Sequence, residues 1–119
     1  MYYVYEGKDF MKISKELLKG TTPIMILKTI SEKETYGYEI VQSLYQKSND
    51  FFKLNEGTLY PILHSLEKEG YLSSYMKKSE SGRERKYYRI TASGKMYLAM
   101  QIDEWNLFSD TVQRVLNGE

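Results

Sequence analysis

The chain has 119 residues, 41% hydrophobic and 28% charged, with 17 Lys/Arg against 16 Asp/Glu; this fits one globular domain with a modest core and excludes a disordered chain. The absence of cysteine excludes disulfides and Cys-ligated metals, and a net charge of +1 argues against a protein that holds polyanions by overall charge alone. The start Met1-Tyr2-Tyr3-Val4-Tyr5-Glu6 lacks the basic-then-apolar pattern of a signal peptide, and the longest apolar run, Pro23 to Leu27, is too short to span a bilayer, so a soluble, cytoplasmic protein is expected.

Residues 1–13 have no clear period. Tyr2, Tyr3 and Tyr5 make a sticky arm, expected as a loose terminus, with partner contact as the alternative. Ser14 to Gly20 reads as one short helical turn. Thr22-Pro23 then signals a helix start, with Thr as N-cap and Pro in the first helical position. Ile24, Ile26, Leu27 and Ile30 make this helix apolar nearly all round, so it is expected to be buried as far as Ser31. Glu32-Lys33-Glu34 forms a polar link. A second helix is predicted from about Thr35 to Ser48, with Tyr38, Ile40, Val41, Leu44 and Tyr45 on its buried face. Gly37 lies in its first turn, where glycine costs about 1 kcal/mol relative to alanine in a helix interior. A glycine there points to close approach, by another helix or by a ligand. Asn49 and Asp50 end the helix.

Leu54 to Gly70 is the most strongly patterned stretch. Asn55 is a good N-cap, Leu54 and Leu59 are the two ends of a hydrophobic staple, and Gly70 is a natural stop. Leu59, Ile62, Leu63 and Leu66 form one apolar stripe. The opposite face is unusual in its first turns: Glu56, Gly57, Thr58, Tyr60, Pro61 and His64 are mostly small, hydroxylic or aromatic. A merely solvated face more often carries Lys and Glu, as Glu67, Lys68 and Glu69 do further on. This end of the helix is therefore expected to touch something.

After Gly70 the period falls to two. Tyr71 to Lys77 reads as a strand, Ser79-Glu80-Ser81-Gly82 as a turn, and Arg83 to Ile90 as a second strand. Thr91 caps a final helix from Ala92 to about Asn117. Residues 53–91 hold eight Lys/Arg against five Asp/Glu, whereas residues 1–52 balance and residues 92–119 are net acidic. The hairpin therefore carries the local basic patch. The order helix, helix, helix, hairpin, long helix describes a winged helix-turn-helix, mainly α with a small β-hairpin. Residues 1–13 would be an arm, 14–91 the winged helix-turn-helix domain and 92–119 a C-terminal dimerisation helix.

Four motifs in this order carry a resemblance: Tyr36-Gly37-Tyr38-Glu39-Ile40; Asn55-Glu56-Gly57-Thr58-Leu59-Tyr60-Pro61-Ile62-Leu63; Leu66-Glu67-Lys68-Glu69-Gly70-Tyr71-Leu72; and Gly82-Arg83-Glu84-Arg85-Lys86-Tyr87-Tyr88-Arg89-Ile90-Thr91 with Gly94. The chain resembles the PadR family of bacterial transcriptional regulators over roughly residues 17–98. The resemblance implies a homodimeric winged-helix protein, usually a repressor, often relieved by small aromatic or other toxic compounds. The single helix after the wing is similar to the short subgroup, in which that helix makes the dimer. The resemblance also implies that a tryptophan at this distance past the wing can stack planar drugs.

The DNA-contacting candidates follow. On the third helix, Thr58, Tyr60 and His64 are placed to meet base edges and phosphates, and Pro61 removes a hydrogen bond to Gly57 and is expected to bend the first turn. No Arg lies there and the only Asn is the cap, so phosphates and DNA shape are expected to carry much of the affinity. On the wing, Arg83 and Lys86 near the turn are the phosphate candidates; edge-strand charges that suppress aggregation are the bland alternative. Tyr87 and Tyr88 point to opposite faces, one as core and the other as a phosphate donor, with Tyr88 the expected donor. Tyr36 and Tyr38 start the second helix, whose N-terminal N–H groups suit a phosphate; Tyr36 resembles a DNA-backbone contact, and Tyr38 is open between such a contact and the core.

The last helix carries Leu98, Ile102, Trp105, Phe108, Val112, Val115 and Leu116. This stripe exceeds what a small domain covers and is expected to pack on a second copy. Trp105, with Ile102 and Phe108, is either a dimer anchor or the wall of a slot for a flat aromatic effector. No phosphate loop, metal spacing or catalytic triad is visible, and His64 is the sole histidine; no enzyme activity, cofactor or metal is expected. The expected partners are double-stranded DNA and a second copy, with no membrane. A winged-helix protein–protein module without DNA affinity is the competing class.

Overall fold

The computed structural model describes residues 2–5 and 9–118. Helix α1 runs Lys15–Glu32, α2 Gly37–Lys47, α3 Glu56–Lys68 and α4 Ala92–Leu116. Strands β1 (Tyr2–Tyr5) and β2 (Asp9–Lys12) pair antiparallel where no element was expected. Strands β3 (Thr35–Tyr36), β4 (Leu72–Lys78) and β5 (Glu84–Ile90) form an antiparallel sheet in the order β3-β5-β4. The architecture is a mainly helical winged helix-turn-helix with a long C-terminal helix.

Two boundaries differ from the sequence reading, each for a local reason. The short turn and the buried helix are one continuous α1, and its N-cap is Ser14, whose hydroxyl accepts from the Leu17 N–H at 3.5 Å. Thr22 is not a cap but a buried residue, and Pro23 lies inside the helix. An interior proline leaves the carbonyl four residues back without its donor. Here that carbonyl belongs to Lys19, which is exposed like Gly20, so water is available to it. The second helix starts at Gly37 because Thr35 and Tyr36 are drawn into the sheet, opposite Tyr88 and Tyr87.

The core lies where all four helices and the inner sheet face meet. It contains Ile26, Leu27 and Ile30 of α1, Ile40 and Leu44 of α2, Leu59, Leu63 and Leu66 of α3, Leu72 and Tyr88 of the sheet, and Leu98 of α4. Burying each such side chain contributes about 1.5–3 kcal/mol. This core fixes α3 with one face inward and the other presented to solvent.

Candidate nucleic-acid interface

Helix α3 is closed at both ends. The Asn55 carboxamide oxygen accepts from the Thr58 N–H at 2.9 Å, and Leu54 and Leu59, both buried, form the staple. At the other end Gly70 takes φ 84°, and the Gly70 and Tyr71 N–H groups donate to the Glu67 and Leu66 carbonyls at 3.0 and 2.9 Å. This pair of bonds is the Schellman arrangement, which needs a left-handed residue. With Leu59, Leu63 and Leu66 inside, the residues left outside are Glu56, Gly57, Tyr60, Pro61, His64, Ser65 and Lys68, with Thr58, Ile62 and Glu67 half-buried.

The glycine in the first turn of α2 now has its reason. A Cβ on Gly37 would overlap the Tyr60 hydroxyl and stand 3.4 Å from a Leu59 methyl. The close approach is that of α3, and it lets Tyr60 lie against the N-terminal end of α2 while remaining 46% exposed. Tyr36 is the N-cap residue of α2 and makes no side-chain capping bond. Its ring instead packs on Tyr87, centroids 5.2 Å apart, with the Arg85 guanidinium 5.0 Å from its centre. Tyr38, read as buried, is 60% exposed on the first turn of α2. Its spacing alone leaves core and surface open, and this exposure places it at the N-terminal end of α2 outside the core.

The wing turn is held by the Ser79 N–H donating to the Arg83 carbonyl and the Gly82 N–H to the Ser79 carbonyl, both at 2.8 Å. Lys78 and Arg83 flank this turn, exposed and without an ion pair among the described residues. Lys78 counts toward the basic surplus of the hairpin in the sequence without being singled out as a phosphate candidate; its position at the tip follows from the strand register with Glu84. Lys86 lies 3.8 Å from the Glu67 carboxylate of α3, to which the Ser74 hydroxyl donates at 2.6 Å. Tyr88 corrects the expectation of a phosphate donor. It is 4% exposed and part of the core. Tyr87, at 8% exposure, is covered on the other face, because β5 is the central strand of three.

On that outer face the Tyr75 hydroxyl donates to the Glu34 carboxylate at 2.5 Å. The bond holds the Tyr75 phenol above its ordinary pKa, aided by desolvation, so Tyr75 is a donor at neutral pH.

Helix α4 exposes Met96, Met100, Leu107, Phe108, Val115 and Leu116, each at least 60% accessible. Val112 is exposed too. Leu98 corrects the expectation of an interface residue: at 7% exposure it is spent on the chain's own core, and Ile102 packs half-buried beside it. Trp105 is 42% exposed, 6.4 Å from the Phe108 ring. With Leu17, Leu18, Ile24, Met25 and Phe52 it lines an apolar hollow of about 300 Å³ between α1 and α4. Ile102 lines an adjoining groove of about 460 Å³. Among the described residues no group of His, Asp or Glu could hold a metal ion, and no helix is long and apolar enough to cross a membrane.

The sequence profile described as "Transcriptional regulator PadR-like family" matches residues 26–100. A PadR-like transcriptional regulator of known structure from Bacillus cereus is 37% identical, over 88% of this chain and 100% of its own, with a TM-score of 0.76. A transcriptional regulator from Clostridium thermocellum is 33% identical over 84% of this chain and 97% of its own, with a TM-score of 0.77. A transcriptional regulator of Mycobacterium tuberculosis is 30% identical over 88% of this chain and 92% of its own.

Proposed function

The chain belongs to the PadR-like family of transcriptional regulators, and from that membership we propose that it is a homodimeric, sequence-specific DNA-binding repressor relieved by a small effector. The single observation that carries the DNA reading is the outer face of α3. Gly57, Tyr60, Pro61 and His64 stand exposed on a capped helix whose opposite stripe, Leu59, Leu63 and Leu66, is buried. Such a face, at the N-terminal end of a helix, suits a major groove, where hydroxyl, imidazole and small apolar groups can meet base edges and phosphates. The wing tip adds Lys78 and Arg83 for the backbone.

Residues 14–91 then form the reading head, and residues 92–119 join two copies. Trp105, Phe108, Val112 and Leu116 belong to the shared face. Two heads would enter successive major grooves of an inverted repeat, about 34 Å apart. The apolar hollow beside Trp105 suits a planar aromatic effector. Repression is favoured by the resemblance; the geometry of a reading head is the same for an activator.

The test is a gel shift on the DNA upstream of the protein's own gene, across a salt series. Salt-sensitive binding to an inverted repeat is expected, with His64→Ala and Thr58→Ala each weakening it while dimerisation is retained. Absence of salt-sensitive binding would favour the protein–protein module.

A further inference from the structure

The outer face of an antiparallel sheet is commonly polar, yet here it carries a row of three tyrosines. Tyr36 on β3 lies opposite Tyr87 on β5, which lies opposite Tyr75 on β4. The ring centroids are 5.2 Å apart from Tyr36 to Tyr87 and 5.7 Å from Tyr87 to Tyr75. Three cations cover the row: Arg85 over Tyr36 at 5.0 Å, Lys77 over Tyr87 at 5.2 Å and Arg89 over Tyr75 at 4.8 Å. Each of these contacts joins diagonal neighbours on adjacent strands, within the range of a cation–π attraction. The row closes through the Tyr75 hydroxyl on Glu34, in the link between α1 and α2.

We propose that Tyr36, Tyr87 and Tyr75, closed by Glu34, form the device that positions the wing relative to α3, and that Lys77, Arg85 and Arg89 serve this row and not the DNA phosphates. The row ties the far strand of the wing to the link between the first two helices. Tyr36 stands next to Gly37, on which Tyr60 of α3 rests. One continuous chain of contacts thus runs from β4 to the reading helix, on the side of the sheet opposite the Ser74–Glu67–Lys86 contacts. Held from both sides, the wing cannot swing independently of α3. The basic patch then divides by role. Three cations stiffen the sheet, Lys86 pairs with Glu67, and Lys78 and Arg83 are left for phosphate.

The division between stiffening and phosphate binding rests on the DNA-binding reading; the positioning row does not, and the test separates them. In the full-length free protein, hydrogen exchange of the β4 and β5 amides should quicken about threefold or more in Tyr75→Phe and Arg89→Gln, as expected when one such interaction is removed. Exchange in α1 should stay unchanged, and Arg89→Lys should recover much of the protection. Unchanged wing exchange in Tyr75→Phe and Arg89→Gln overturns the positioning role. On upstream DNA, Arg85→Ala and Arg89→Ala should weaken binding about fivefold with the salt slope preserved. Arg83→Ala and Lys78→Ala should each lower that slope by about 0.9 for every phosphate left without its cation. A slope lowered equally by Arg85→Ala or Arg89→Ala assigns those residues to DNA and overturns the division. Salt-insensitive wild-type binding would remove the DNA reading and leave the exchange result to decide the positioning row.

Discussion

Gly37→Ala separates folding from recognition, because the added methyl meets only one movable group. Its nearest neighbours are the Tyr60 hydroxyl and the ring carbon that bears it, with a Leu59 methyl at an ordinary 3.4 Å. Gly37 is helical and its φ is not in the left-handed region, so alanine fits the backbone. Alanine gains up to about 1 kcal/mol in helix propensity, and pushing a tyrosine off its rotamer costs about 0.5–1.5 kcal/mol. The net change in stability should stay within about 1 kcal/mol, a shift of about 5 °C or less in melting temperature. Recognition should suffer far more. Losing one hydrogen bond to a charged phosphate costs about 1.5 kcal/mol or more, roughly tenfold in affinity per head and up to about a hundredfold for two heads on one operator. Thermal melting and fluorescence anisotropy on the upstream DNA measure the two effects. DNA affinity within twofold of wild type, at intact stability, would refute the role given to Tyr60.

Gly57→Ala tests the floor of the same face from the opposite direction. An added Cβ meets nothing closer than the Asn55 carboxamide at 3.4 Å, so the variant should be more stable by about 0.5–1 kcal/mol, and a loss of DNA affinity beside that gain would mark close approach of DNA. Gly94→Ala should be destabilised by about 1–3 kcal/mol in chemical denaturation, because its Cβ would overlap the Tyr71 carbonyl, a backbone atom that cannot turn aside. Phe108→Lys places a charge in the exposed apolar face of α4 and should convert a dimer to monomer in sedimentation, leaving the far-ultraviolet spectrum intact. Glu32 is held below its ordinary pKa by a hydrogen bond and charge from Lys47, and by Lys28. A lowered folded value means the contribution is present above the unfolded carboxylate value of about 4.3 and is lost as pH falls through the lower folded one. Glu32→Gln should therefore melt below wild type at pH 7, with the difference closing toward pH 3.

Local signals made much of this protein legible. The cap at Asn55, the staple of Leu54 and Leu59, the stop at Gly70, the wing turn and the Thr91 cap are each decided by residues within a turn of one another, and each stands as read. What was not legible depends on distance in sequence. Strand β3 has two residues and no period, and it exists because Thr35 and Tyr36 find Tyr88 and Tyr87 some fifty residues on. Without β3, β5 reads as an edge strand with one tyrosine outside. With it, β5 is central and both tyrosines are covered. The same omission hid the contact of Arg85 with the Tyr36 ring. Pro23 misled for the opposite reason: a strong local start signal was outweighed by the Ser14 cap and the packing of Ile26, Leu27 and Ile30.

The junction of α3 and α4 constrains how an effector can act. The Thr91 N–H donates to the Tyr71 carbonyl at 3.0 Å, and the Thr91 and Ser93 hydroxyls both donate to the Gly70 carbonyl, at 2.7 and 3.0 Å. Tyr71 and Tyr97 stack with centroids 4.0 Å apart and planes 6° apart, and Gly94 allows the Tyr71 carbonyl to sit against the helix. The start of α4 is thus joined to the end of α3 by hydrogen bonds, ring stacking and close backbone packing, with no flexible linker between them. A molecule bound beside Trp105 cannot bend the reading helix relative to its own α4 without breaking these contacts. In the proposed dimer, the lower-energy route would be to change the angle at which two α4 helices cross, moving each head as a rigid unit. On the proposed function, release from DNA would then follow from altered spacing between heads, since the two major grooves stay a fixed distance apart. An effector that lowers DNA affinity should leave the hydrogen-exchange protection of Gly94 and Tyr71 unchanged while altering the distance between spin labels on the two copies of His64→Cys; loosened exchange at the junction with an unchanged inter-head distance would place the switch inside the subunit instead.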